Sequence, residues 1–178
     1  SAAKGQYCGI DVSPERLQLA RRRRPDAWFI LADATRLPLA GRFDCAAMVT
    51  ALEFIADKSR ALGQVYDLLP PGGLLYVEVR NGDFLLLRLI RPFLNLARGM
   101  RIVRDYPADG FRDLAFAEWK QLLGREGFRV VRVVRSCRPL WYGDLPTRLR
   151  NSLIGLVRLM LPVRLHYMAG FVLCRDNR

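Results

Sequence analysis

The stretch from Tyr7 to Ile55, YCGIDVSPERLQLARRRRPDAWFILADATRLPLAGRFDCAAMVTALEFI, constrains this chain more than any other. It reads as strand, helix, strand, loop, strand, and an acidic residue stands just past two of those strands: Asp11 after YCGI and Asp33 after WFILA. A strand, helix, strand order builds a parallel sheet, and in an open parallel sheet the carboxyl ends of the strands face the ligand crevice. Carboxylates at those ends are placed to accept hydrogen bonds from a nucleoside, so the pattern points to a nucleotide-like ligand.

Local signals set the elements. The apolar run Gln6 to Ile10 ends at Asp11, and Ser13-Pro14-Glu15 then supplies an N-cap and a proline at the first helical position. The helix that follows carries Leu17, Leu19 and Ala20 and is stopped by Arg21 to Arg24 and Pro25. Ala27 to Ala32 and Phe43 to Thr50 read as the next strands, separated by a loop from Asp33 that Pro38 and Gly41 keep from continuing. Lys58 to Leu69 has apolar residues at helical spacing and stops at Pro70-Pro71-Gly72-Gly73, after which Leu74 to Val79 is a strand. Phe116 to Glu126 is an amphipathic helix ended by Gly127, Phe128 to Arg135 a strand, and Tyr167 to Cys174 a final strand. This alternation predicts an α/β fold, a sheet with helices on both faces, and the length of 178 residues predicts a single domain over 1–178.

Two segments break the rhythm, at about 82–110 and 139–165, and are expected to be cap insertions. Arg88, Arg91, Asn95 and Arg98 step by three or four through the first, which Pro92 should kink; Arg148, Asn151, Gly155 and Arg158 do the same in the second. Each presents a broad apolar face with a narrow basic stripe. Two readings stand: a cap packed on the domain, or a peripheral contact with lipid. The net charge of +12 suits an acidic partner, whether nucleic acid, an anionic membrane or a phosphorylated substrate. Nucleic acid is the weaker of these, because the arginines alternate with long apolar runs instead of lining an aromatic-interleaved groove. Four cysteines without a CxxC spacing, and a single histidine, His166, exclude zinc and iron-sulfur sites; the cysteines are expected to be small buried residues in a reducing compartment. Without a signal-peptide pattern or an apolar run of about 20 residues, the expected location is cytoplasmic or peripheral to a membrane.

In order along the chain, GIDVSPERLQLAR, LADATRLPLAGRFDCAAMVTALEFI, LLPPGGLLYVEV and EWKQLLGREGFRVVRV resemble the class I S-adenosylmethionine-dependent methyltransferases, in particular the small-molecule, type 11-like branch that includes quinone-biosynthesis enzymes. The resemblance implies a Rossmann-like sheet with an antiparallel last strand, and S-adenosylmethionine as cofactor. It implies that Asp11 accepts hydrogen bonds from both ribose hydroxyls, that Val12 packs on the adenine plane, and that Asp33 and the backbone N–H of Ala34 serve the adenine edge. Thr50 and Ala51 match positions lining the methionine part and the transfer crevice. Pro71-Gly72-Gly73 matches a structural turn.

The chain departs from that pattern twice. No glycine-rich loop precedes Asp11, so the family's first strand and helix are expected to be absent from this sequence. Many relatives carry Glu-His where Glu53-Phe54 stands, so no catalytic base is carried over and the catalytic residue is unassigned. Glu53 is read equally as orienting the acceptor or capping the crevice, and Trp141-Tyr142 as stacking an aromatic acceptor or filling the cap. The function expected is methyl transfer to a small, apolar or lipid-like acceptor. The alternative is an inactive methyltransferase-like partner subunit, for which the missing glycine loop is the only support. A nicotinamide-dependent dehydrogenase is disfavoured by Asp33-Ala34, by the last strand ending the chain and by the lack of a Tyr-x-x-x-Lys pair.

Overall fold

Ser13 begins the first helix as its composition requires: its Oγ accepts the Arg16 N–H at 3.2 Å, and α1 runs over Pro14–Arg23. Glu15 in the first turn and Arg21, Arg22 and Arg23 in the last complement the helix dipole. The computed structural model describes residues 7–41, 43–83, 114–136 and 168–176. Nearly all of the two expected cap segments, with Arg88, Arg91, Trp141, Tyr142 and Arg158, lies outside the described residues, as do Cys137 and His166.

Strand β1 (Cys8–Asp11) pairs in parallel with β2 (Trp28–Leu31), Cys8 opposite Trp28 and Asp11 opposite Leu31. A second sheet holds β3 (Cys45–Val49), β4 (Leu74–Arg80), β5 (Phe128–Ser136) and β6 (Met168–Arg175) in the order β3-β4-β6-β5. β3 and β4 are parallel, and β6 runs antiparallel to both its neighbours. This is the α/β architecture with an antiparallel last strand that the resemblance implied. Element boundaries fall within two residues of those read from the sequence.

Helix α2 (Lys58–Leu68) starts where the Asp57 carboxylate accepts the Arg60 N–H at 2.9 Å. It ends at the Pro70-Pro71-Gly72-Gly73 turn, where Gly72 takes φ +79°, a backbone state that side-chain-bearing residues avoid. Helix α3 (Phe116–Arg125) has no capping side chain at Ala115, so its first amides are served from elsewhere: Glu118 accepts the Ala115 N–H at 2.7 Å and Asp83 accepts the Phe116 N–H at 2.9 Å. Both helices turn their apolar stripes into one core. Leu62, Leu69, Leu75, Val77, Trp119, Leu123, Phe171 and Leu173 are among its buried members. Burying each such side chain contributes on the order of 1.5–3 kcal/mol.

The first sheet is tied to this core by the loop after β2. Leu37 N–H donates to Gln64 Oε1 at 3.0 Å, Arg60 Nε donates to the Thr35 carbonyl at 3.1 Å, and Ala34 and Leu37 pack against the core. One expectation is corrected: Cys45 is exposed and Cys8 and Cys174 are only half-buried, all three being free thiols. The reason is alternation. On β3, Met48 turns inward while Cys45, Ala47 and Val49 share the opposite, open side. Among the described residues no helix is long and apolar enough to cross a membrane.

Candidate functional site

All six residues expected to hold a cofactor lie at carboxyl ends of parallel strands, in two groups. The first is built on β1 and β2. Asp11 closes β1, and its main-chain oxygen accepts the Ala32 N–H at 3.2 Å, which keeps the chain leaving β2 alongside the end of β1 and draws Asp33 to the same edge. Asp11 Oδ1 accepts the Ser13 N–H at 2.9 Å, while Oδ2 lies 3.9 Å from the Arg16 guanidinium. The carboxylate therefore shapes the turn into α1 with one oxygen and keeps the other for further contacts. Val12, at the tip of that turn, is 68% exposed, so its apolar side chain takes no part in the core.

Asp33 is exposed and closes its own turn by accepting the Thr35 N–H at 2.8 Å. That bond first, then the Thr35 hydroxyl, holds the Asp33 carboxyl below the usual carboxylate range, with the Arg36 and Arg60 charges acting the same way. It is thus an ionised acceptor at neutral pH. Ala34 packs its side chain against the core, which fixes the backbone of this turn.

The second group stands at the end of β3. The Thr50 N–H donates to the Glu78 carbonyl at 2.9 Å, extending the β3-β4 ladder by one bond. The chain then turns sharply: Thr50 takes φ +49°, in the left-handed region that a β-branched residue rarely occupies. Strain of this kind collects at sites where the surrounding structure holds the backbone in place. Ala51 caps a short 3-10 helix, Leu52–Phe54, in which Leu52 and Glu53 are buried and Phe54 is 54% exposed.

What holds that turn was not read from the sequence. Glu53 Oε1 lies 3.8 Å from Arg80 Nε, at the end of β4, and both side chains are largely withdrawn from solvent. The Arg80 guanidinium also sits over the Phe54 ring, 5.1 Å from its centroid. Lys58 donates to the Ile55 carbonyl at 2.8 Å; burial pulls its ammonium pKa down, against the opposing pull of Glu53. The end of β4 is anchored in turn by α3, where Trp119 Nε1 donates to the Arg80 carbonyl at 3.0 Å. Arg80 is the functional candidate that sequence reasoning missed. Its signal was a lone arginine at the carboxyl end of an otherwise apolar and acidic strand, LLYVEVR.

The structure thus brings Asp11, Val12, Asp33 and Ala34 together on one pair of strand ends. Thr50 and Ala51 stand at a strand end of the other sheet, joined to the first group through the Asp33 to Leu39 loop and α2.

Comparison with known proteins shows what the chain is similar to. A family described as a methyltransferase domain matches residues 1–77. A demethylmenaquinone methyltransferase of Thermus thermophilus is 36% identical over 81 residues, which are 43% of this chain and 37% of that protein. A ubiquinone/menaquinone biosynthesis C-methyltransferase of a Marinomonas species is 30% identical over 125 residues, 64% of this chain and 49% of that protein. The matched stretches therefore span about half or less of those relatives' own lengths. Among solved structures, a SAM-dependent methyltransferase from Thermotoga maritima superposes with a TM-score of 0.65 at 20% identity, covering 96% of this chain and 73% of that one. At that identity the likeness shows the fold.

Proposed function

We propose, from the match of residues 1–77 to a methyltransferase-domain family and from the shared fold, that the chain binds S-adenosylmethionine along the carboxyl ends of β1, β2 and β3 and methylates a small apolar acceptor. The observation that carries this reading is the pair of carboxylates on adjacent parallel strand ends, Asp11 and Asp33, linked by the Asp11 carbonyl and the Ala32 N–H. Two acceptors spaced along one edge suit the two polar ends of an adenosine. A single exposed valine between strand and helix suits its apolar ring face.

The cofactor, when bound, supplies an electrophilic methyl group on a sulfonium. The chain's residues do the rest. Asp11 receives the ribose hydroxyls, its Oδ1 already fixed by Ser13 so that the carboxylate is preorganised. Val12 covers one adenine face, Asp33 accepts from the adenine amino group, and the Ala34 N–H serves a ring nitrogen. Thr50 and Ala51 line the side from which the acceptor approaches. Methyl transfer needs in-line approach of a nucleophile, so positioning and exclusion of water supply much of the rate without a side-chain base. Phe54 in place of a histidine is consistent with that.

The acceptor class follows from the edge where it must enter. Phe54 exposes an aromatic ring beside Thr50 and Ala51, a surface that fits an apolar ring system. The names of the two quinone-pathway relatives support a quinol-like acceptor. The deciding experiment is calorimetric titration of the full chain with S-adenosylmethionine, S-adenosylhomocysteine and NADH, followed by transfer of labelled methyl to a demethylated quinol. Binding of the first two but not of NADH, with label in the quinol, supports the reading. Failure of both sulfur compounds to bind sinks it and puts the inactive binding module first.

A further inference from the structure

The buried Glu53 and Arg80 pair bridges the ends of two parallel strands at the point where the backbone is strained. β3 and β4 run side by side with Val49 opposite Glu78, so the Thr50 to Phe54 turn just past β3 and Arg80, the last residue of β4, meet at the carboxyl edge. Three contacts converge there. The Thr50 N–H reaches the Glu78 carbonyl at 2.9 Å, Glu53 Oε1 stands 3.8 Å from Arg80 Nε, and the Arg80 guanidinium covers the Phe54 ring at 5.1 Å. Arg80 is itself held from behind, its carbonyl taking the Trp119 indole N–H at 3.0 Å.

Such a pair is a poor source of net stability, because two charges give up hydration to meet. A hydrophobic pair of the same volume would fill the space at lower cost. What the pair does supply is direction: a guanidinium faces both a carboxylate and an aromatic ring, and so holds the last two residues of a five-residue turn whose first, Thr50, is bonded to the Glu78 carbonyl. The left-handed Thr50 is the residue that such a clamp must hold in place.

We propose that Glu53 and Arg80 act as a positioning clamp, with Arg80 gripping the Thr50 to Phe54 turn through Glu53 and Phe54 so that Thr50 and Ala51 keep a fixed place on the edge of the cofactor crevice. The proposal rests on the methyltransferase reading for its ligand, but the clamp itself is testable without one.

The test compares hydrogen exchange and S-adenosylhomocysteine binding in the full chain and in Glu53→Gln, Arg80→Lys and the double variant. The amides of Thr50, Phe54 and Ile55 report the turn, through their bonds to the carbonyls of Glu78, Ala51 and Leu52. With the clamp removed by Glu53→Gln, these three exchange about tenfold faster relative to amides within β3 and β4, because the opening is local. Arg80→Lys, which keeps the charge but not the planar face, gives the same pattern more weakly, and the double variant is no worse than Glu53→Gln alone. Uniform acceleration of all amides, or none, overturns the clamp. Should Glu53→Gln fail to fold, Arg80→Lys decides by the same criterion.

On the ligand side, affinity for S-adenosylhomocysteine falls about fivefold or more in Glu53→Gln at a temperature where both proteins are fully folded. Equal affinity in the two, with the native chain binding, overturns the inference alone. No binding by the native chain overturns the proposed function, and the exchange pattern then still decides whether the clamp exists.

Discussion

Replacing Asp11 separates the two tasks of its carboxylate. In Asp11→Asn the amide oxygen still accepts the Ser13 N–H that Oδ1 holds at 2.9 Å, so the turn into α1 survives. What is lost is the negative charge and the second acceptor. The Arg16 partner, at 3.9 Å and 80% exposed, contributes well under about 1 kcal/mol, so Asp11→Asn should change unfolding free energy by no more than about 0.5 kcal/mol. Asp11→Ala removes the turn bond as well and should cost about 1 kcal/mol. The ligand side is larger. A hydrogen bond from a ribose hydroxyl to a carboxylate is worth about 1.5–3 kcal/mol, which is about 10- to 150-fold in Kd. Calorimetric titration with S-adenosylhomocysteine at 25 °C, alongside urea unfolding, reads both quantities on the same samples. Binding by Asp11→Asn within about threefold of the native chain would refute the assignment of Asp11 to the ribose. So would a stability loss as large as the affinity loss, since the residue would then act through the fold.

Three further outcomes follow from the same geometry. Because hydrogen bonds from Thr35 depress the Asp33 pKa, its contribution is fully present above the unfolded value of about 3.9 and is lost only as pH falls through the lower folded value; carbon-detected NMR titration giving a pKa at or above 3.9 would contradict this, and the affinity ratio of native to Asp33→Asn should stay flat from about pH 7 to pH 5. Thr50→Gly should leave the urea midpoint nearly unchanged, since relief of about 1 kcal/mol of left-handed strain is offset by the greater unfolded-state freedom of glycine, while cofactor affinity falls; a loss above about 2 kcal/mol would show that the Thr50 side chain, not its backbone, matters to the fold. Trp119→Phe removes the indole N–H that the Arg80 carbonyl accepts and part of a ring that is 1% exposed, for a cost of about 2–4 kcal/mol read as a lower urea midpoint at constant slope; a cost below about 1 kcal/mol would refute that anchor.

The elements were legible because their signals are local. Ser13-Pro14 starts α1 whatever surrounds it, Gly127 ends α3 with φ +88°, and the strand at Met168 to Arg175 announces itself as an unbroken apolar run. The placement of the two acids was legible for the same reason: an acid directly after a short strand can be read within a few residues, and Asp11 and Asp33 do share one edge. The cysteines were misread because apolar runs do not say which side of a strand is covered. Cys45 shares its strand with buried Met48 but points the other way. For Glu53, the sequence left two readings even, orienting an acceptor or capping a crevice, and neither included its partner.

By itself, then, the amino-acid sequence determined the order of strands and helices and the residues that stand at strand ends, since each of these depends on neighbours along the chain. Tertiary structure alone decided that β6 lies between β4 and β5, that Thr50 bends into a left-handed turn, and that Glu53 meets Arg80 there. Those facts depend on which strands lie side by side and in what register. Two residues far apart in sequence become partners only once β3 and β4 have paired, and only then does the buried Glu53 carboxylate come within 3.8 Å of the Arg80 guanidinium.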